Sequence, residues 1–185
     1  VVALARPCLV WPGSDRHAAS GAAVGRAIVA IDLSSSMGGW GRLDGARARA
    51  LDWLARTRAA EVGLVTYARG VVREEIATRD RDALRRALTA LRPLPQAGDP
   101  GAALRRGAAM LAGGRGPLSL AVISDFQESD WASAQLPALA DHVALELERV
   151  GTRRPGNVCV SDARVSWLAP GRVRVTVTVA GDLDR

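Results

Sequence analysis

The chain has 185 residues, 48% of them hydrophobic and 24% charged, enough for one domain with a full core, or one domain and part of a second. Its net charge is +6, yet every Lys/Arg position is arginine, set on the outer faces of alanine-rich runs such as ALRRAL and ALRRGA. Only 4% of residues are aromatic and no basic patch is interleaved with rings, which argues against a nucleic-acid reader.

The opening VVALARPCLVW starts in mid-hydrophobic run and reads as the tail of something longer, although no run in the chain reaches the roughly 18 apolar residues of a membrane span. Residues 11–25 lack periodicity and are rich in Gly, Ser and Ala, as in a linker. RAIVAID (26–32) is a continuous apolar run, the mark of a strand buried on both faces. Residues 42–58 place Leu43, Ala46, Ala50, Leu51 and Leu54 at helical spacing. EVGLVTYA (61–68) and GVVREEIA (70–77) predict a hairpin.

Two helices are expected next, 79–92 stopped by Pro93 and 99–113 capped by Asp99 with Pro100 in its first turn. PLSLAVISDF (117–126) is a buried strand, 129–140 a short helix, and 142–150 a last strand. The alternation predicts an α/β fold, a mostly parallel sheet covered by helices on both faces, over 26–150. Residues 152–157 read as a linker. Beyond it, VCVSDARVSWL and RVRVTVTVA alternate with period two around APG, which predicts a hairpin with one solvated face and the start of a β-rich unit over 151–185. Cys8 and Cys159 lie far apart in no metal-type spacing and are expected to be unpaired.

Two buried strands end in a carboxylate, Asp32 and Asp125, and ligands of such sheets sit beyond the carboxyl ends of the strands. Ser34 and Ser36 follow Asp32 in the next loop. Two carboxylates and two hydroxyls are hard oxygen donors, suited to an octahedral Mg²⁺ that keeps some of its waters and leaves a position for a partner's carboxylate. The bland reading of DLSSSMGG is a polar turn after a strand. Trp40 follows the same loop; a contact with a partner and cover for the next helix are equally open readings.

DLSSS resembles the DxSxS motif of the von Willebrand factor A family, and ISDF sets Asp125 at that family's late Asp. The resemblance covers about 26–150. It implies a Rossmann-like, doubly wound sheet and a metal-ion-dependent adhesion site built from Asp32, Ser34, Ser36 and Asp125. The stretch GDPGAAL departs from the family pattern, because Gly98 stands where the family carries a ligating Thr. Water or Asp99 is left to fill that position, so bound Mg²⁺ or Mn²⁺ is expected to be weak. VISDFQESDW and NVCVSDARV are further similar to the bacterial membrane-anchored members of the Bat or aerotolerance-regulator type. In that group a segment like VVALARP ends a membrane helix, which implies an extracytoplasmic domain anchored by a segment outside this chain.

The function expected is protein–protein binding with Mg²⁺ completing the contact, with a metal-free envelope scaffold as the alternative. A hydrolase using the Asp32/Ser34 loop is the third reading. A phosphatase of the haloacid dehalogenase type needs a second Asp where Ser34 stands, and a Lys. A serine hydrolase needs a G-x-S-x-G elbow with a later His, whereas His17 lies in the linker and His142 begins a strand. No Walker A loop or G-x-G-x-x-G follows the first strand, so nucleotide binding has no support.

Overall fold

The computed structural model describes residues 25–132, 134–151, 158–169 and 171–181. A five-stranded sheet has the order β3-β2-β1-β4-β5. β1 (Arg26–Asp32) lies at its centre, parallel to β2 (Glu61–Tyr67) on one side and to β4 (Leu118–Ser124) on the other. β5 (Val143–Arg149) extends the sheet in parallel, and β3 (Val71–Thr78) closes the other edge as the antiparallel arm of a hairpin. The apolar runs of β1, β2 and β4 are buried on both faces, as parallel strands under helices require.

Alternation along the strands divides the core into two layers. Val29, Ile31, Leu33, Leu64 and Ile123 face α1 (Arg42–Arg56) and α2 (Arg81–Thr89), meeting Leu43, Ala46, Ala50, Trp53, Leu54, Leu84 and Leu88. Ile28, Ala30, Val65, Tyr67, Leu120 and Val122 face α3 (Pro100–Leu111), meeting Ala103, Leu104 and Leu111. Both later helices start where a carboxylate caps them: Asp80 accepts from Ala83 N at 2.9 Å and Asp99 from Ala102 N at 2.9 Å. The expected doubly wound architecture is the observed one.

Two expectations are corrected. The helix expected over 129–140 is a single turn, α4 (Glu128–Trp131), and 134–140 is irregular. Pro137 pushes Leu136 out of helical backbone, and the Asp130 side chain turns back to accept from Gly98 N at 2.8 Å. The helix expected over 79–92 is shorter, running from the Asp80 cap to Thr89, four residues before Pro93. The second hairpin, β6 (Val158–Ala169) with β7 (Arg172–Gly181), is the expected one and has the expected alternation. Val160, Val165 and Trp167 pair with Val179, Val175 and Val173 on one face. That apolar face is open, with Trp167 79% and Val175 57% exposed.

The expectation for the cysteine pair lies outside the described residues, which include neither Cys8 nor the Cys159 side chain. No helix among the described residues is long and apolar enough to cross a membrane.

Candidate functional site

β1 is followed in the chain by β2 on one side but borders β4 on the other, so the switch in strand order falls between the ends of β1 and β4. Asp32, the last residue of β1, pairs in register with Tyr67 of β2, and Ser124 ends β4 next to it. These three side chains form a row across the sheet end. Asp32 is 2% exposed, and both its oxygens are engaged: Ser34 N donates to Oδ1 at 2.8 Å and the Ser124 hydroxyl to Oδ2 at 2.6 Å. Burial pushes the Asp32 carboxyl above its ordinary range; the Ser124 and Ser34 hydrogen bonds pull it back, and the charge of Asp125 adds to the rise.

The loop after β1 turns through a 3-10 segment, Ser35–Gly38. It brings the Ser34 and Ser36 hydroxyls within 3.1 Å of each other. Asp125, one residue past β4, is buried. Its Oδ2 accepts from Arg42 Nη1 at 2.9 Å, whereas Oδ1 is buried with no hydrogen-bond partner. The same Arg42 nitrogen donates to the Ser36 carbonyl at 3.0 Å. Arg42 therefore ties the serine loop to the end of β4.

Tyr67 is fully buried, and its hydroxyl faces Asp32 and Ser124 without meeting either in hydrogen-bond geometry. Burial, then the Asp32 charge, hold its phenol well above the usual range, so it stays neutral.

The loop before α3 lies along the same edge. Leu94 N donates to Leu33 O, Ser35 N to Gln96 O, and Asp99 N to Ala68 O. Gly98 is thus placed beside the site, but the acid against it is Asp130. Asp99 is held at the α3 cap by Ala102 N. Trp40 is 59% exposed, and the Arg42 guanidinium stacks over its ring at 4.8 Å. Trp40 and Phe126, with φ of 50° and 52°, are the two non-glycine residues in left-handed backbone among those described. They flank the site on its two loops, where such strain tends to collect.

Asp32, Ser34, Ser36 and Asp125 thus stand at one edge, with Gly98 and Trp40 beside them. Ser124, Tyr67, Arg42 and Asp130 belong to the same cluster, although no motif signalled them. Among the described residues no group of three or more His, Cys, Asp or Glu side chains could hold a metal, so any cation here depends on hydroxyl ligands. The donors suit a hard cation. Adjacent oxygens around a Mg²⁺ with Mg–O bonds of about 2.1 Å lie about 3 Å apart, close to the Ser34–Ser36 separation. The unpartnered Asp125 Oδ1 is a buried carboxylate oxygen that no donor of the chain satisfies. Arg42 opposes a cation here, since it offsets one of the two carboxylate charges.

A central parallel sheet with an Asp–Ser–Ser cluster at its switch point defines a von Willebrand factor A-type domain. The family model for the von Willebrand factor type A domain matches residues 27–127, more than half of the chain, and the chain belongs to that family.

No curated protein matches it. Among solved structures, the fold is similar to an aerotolerance-related membrane protein from Bacteroides fragilis, at 19% identity and a TM-score of 0.58 over 82% of this chain and 81% of that one. It is also similar to BatB from Bacteroides thetaiotaomicron, at 16% identity and a TM-score of 0.59 over 85% and 80%. The type V pilus tip protein Mfa5 of Porphyromonas gingivalis shares the fold at 24% identity and a TM-score of 0.51, over 56% of this chain and 20% of that one.

Proposed function

We propose that this domain is a protein-binding module of a bacterial cell-envelope protein, docking its partner at the carboxyl edge of the sheet. Ser34, Ser36 and Asp125 would hold a weakly bound Mg²⁺ or Mn²⁺, with Asp32 supporting the serines from beneath. The ion would supply a Lewis-acidic position for an acidic side chain of the partner. The observation that carries this reading is the Ser34–Ser36 hydroxyl pair set beside a buried Asp125 oxygen that has no partner. Exposed Trp40 on the rim suits a protein contact. The likeness to an aerotolerance-related membrane protein and to a pilus tip protein supports an envelope setting.

Binding is favoured over hydrolysis because the one described histidine is far from the hydroxyls. His142 precedes β5, whose first residue pairs with the first residue of β4, so it lies at the opposite edge of the sheet. The Arg42–Asp125 ion pair favours a second reading, an envelope scaffold that needs no metal.

Thermal unfolding with and without divalent cations separates the two. With a Kd on the order of 1 mM, 10 mM Mg²⁺ contributes roughly 1.4 kcal/mol, a rise in Tm of a few degrees. The rise is expected for Mg²⁺ and Mn²⁺ and lost in Asp32→Ala. If neither ion moves Tm and neither binds by calorimetry, the scaffold reading replaces the metal-dependent one.

A further inference from the structure

Arg42 opens α1 and leans over the site instead of out to solvent. Its Nη1 bridges Asp125 Oδ2 and the Ser36 carbonyl, at 2.9 and 3.0 Å. Its guanidinium lies on Trp40, which is held there in left-handed backbone. Its stem packs against Gly151, where an added Cβ would come within 3.1 Å of Arg42 Cγ. The Arg42 and Asp125 side chains are 15% and 5% exposed, so water screens their attraction little. Other ion pairs of this domain, such as Arg85–Asp82 and Arg73–Glu75, lie on its open surface.

We propose that Arg42 is a built-in cation that competes with a divalent metal for Asp125, so that the metal site is complete only when Arg42 withdraws from it. This rests on the metal-dependent reading above and assigns the control of that same site. The geometry dictates the competition. A divalent ion held by Ser34, Ser36 and Asp125 would share one carboxylate with a fixed guanidinium and the Ser36 loop with the same Nη1, and two like charges on one carboxylate repel. A guanidinium cannot shed its proton to relieve that repulsion. It must turn away from Asp125, and the Trp40 ring it already lies on can hold it as it does so. A partner carboxylate arriving at the rim would pair with the withdrawn Arg42, which links metal uptake to partner binding.

Calorimetric titration of Mn²⁺ into the 185-residue chain, wild type against Arg42→Gln, tests this. Arg42→Gln is expected to bind Mn²⁺ about tenfold tighter or more, because it removes one competing charge in a poorly screened site. In chelator its Tm falls below that of the wild type, and saturating Mg²⁺ returns it. A merely structural Arg42 would give the fall without the return. Arg49→Gln, which removes an exposed arginine paired with Glu148, is the control and keeps wild-type affinity.

Equal or weaker Mn²⁺ binding by folded Arg42→Gln overturns the competition and leaves the metal-binding reading standing. No binding by either protein overturns both. Should Arg42→Gln not fold, the wild type carries the test by NMR. The Arg42 Nη1–H signals, on the nitrogen bonded to Asp125 and Ser36 O, are expected to be protected from exchange without metal and to lose protection with saturating Mg²⁺. A signal that Mg²⁺ leaves unchanged overturns the proposal.

Discussion

Tyr67 carries a cost that its neighbours do not relieve. Its hydroxyl is buried beside Asp32 with no hydrogen-bond partner, and such a group costs about 1–3 kcal/mol. Tyr67→Phe keeps the ring in the α3-facing core and removes the hydroxyl. It is expected to raise stability by about 1 kcal/mol in urea unfolding; a loss of that size would show that the hydroxyl holds the Asp32–Ser124 pair. Gly98 behaves differently from a simple missing ligand. A Cβ there would lie 2.7 Å from Asp130 Oδ2, so a threonine at this position must first displace that carboxylate. Asp32, Ser34 and Ser36 were legible because they follow one another at a strand end, and Asp125 because ISD ends a second buried run. Arg42 was not legible. It is one arginine among many, and its contact with Asp125 spans 83 positions, which no local pattern records. Ser124 is hidden for the same reason: its role exists only through the β1–β4 register.

Within the elements, β2 depends on a residue without a side chain. A Cβ on Gly63 would stand 2.7 Å from Ile28 Cδ1 and 3.0 Å from both Glu75 O and Met110 Cε. It would press on β1, β3 and α3 at once, at the point where the β2–β3 register slips between Val62 and Leu64. Gly63→Ala is expected to destabilise by roughly 2–3 kcal/mol, read as a lower urea midpoint at unchanged slope. β3 is also tied to α3 from outside by the forked Glu74–Arg106 pair, in which Arg106 Nη2 donates to Glu74 Oε1 at 2.6 Å. That contact holds the Glu74 carboxyl below its usual range. A lowered folded pKa gives stability that is present above the unfolded value and lost as pH falls through the folded one. The Tm difference between wild type and Glu74→Gln, small at neutral pH because the pair is exposed, should therefore close as pH drops below about 4.5. Strands and long helices were legible from their periods. The α4 region was not: AQLPALA has helical composition, but Pro137 and the Asp130–Gly98 bond override it.

For the whole molecule, the open apolar face of the β6–β7 hairpin adds little to the stability of the sheet domain. Val175→Thr and Trp167→Ser together are expected to leave its unfolding within about 0.5 kcal/mol of wild type. A larger loss would mean that the two units share a core. The alternation of β6 and β7 was legible, but what covers such a face depends on packing partners that a strand pattern does not encode. The position of β1 has a consequence in time. Its bond with β4 at Asp32–Ser124 joins residues 92 positions apart, so closing the centre of the sheet means closing a long loop of chain. During synthesis β1, the serine loop and the β2–β3 hairpin all leave the ribosome before β4 exists. The carboxyl edge is then an unfinished surface, with Asp32 lacking Ser124 and Arg42 lacking Asp125. A nascent chain therefore cannot complete this edge early, and the docking surface proposed above exists only once β4 has slotted in beside β1.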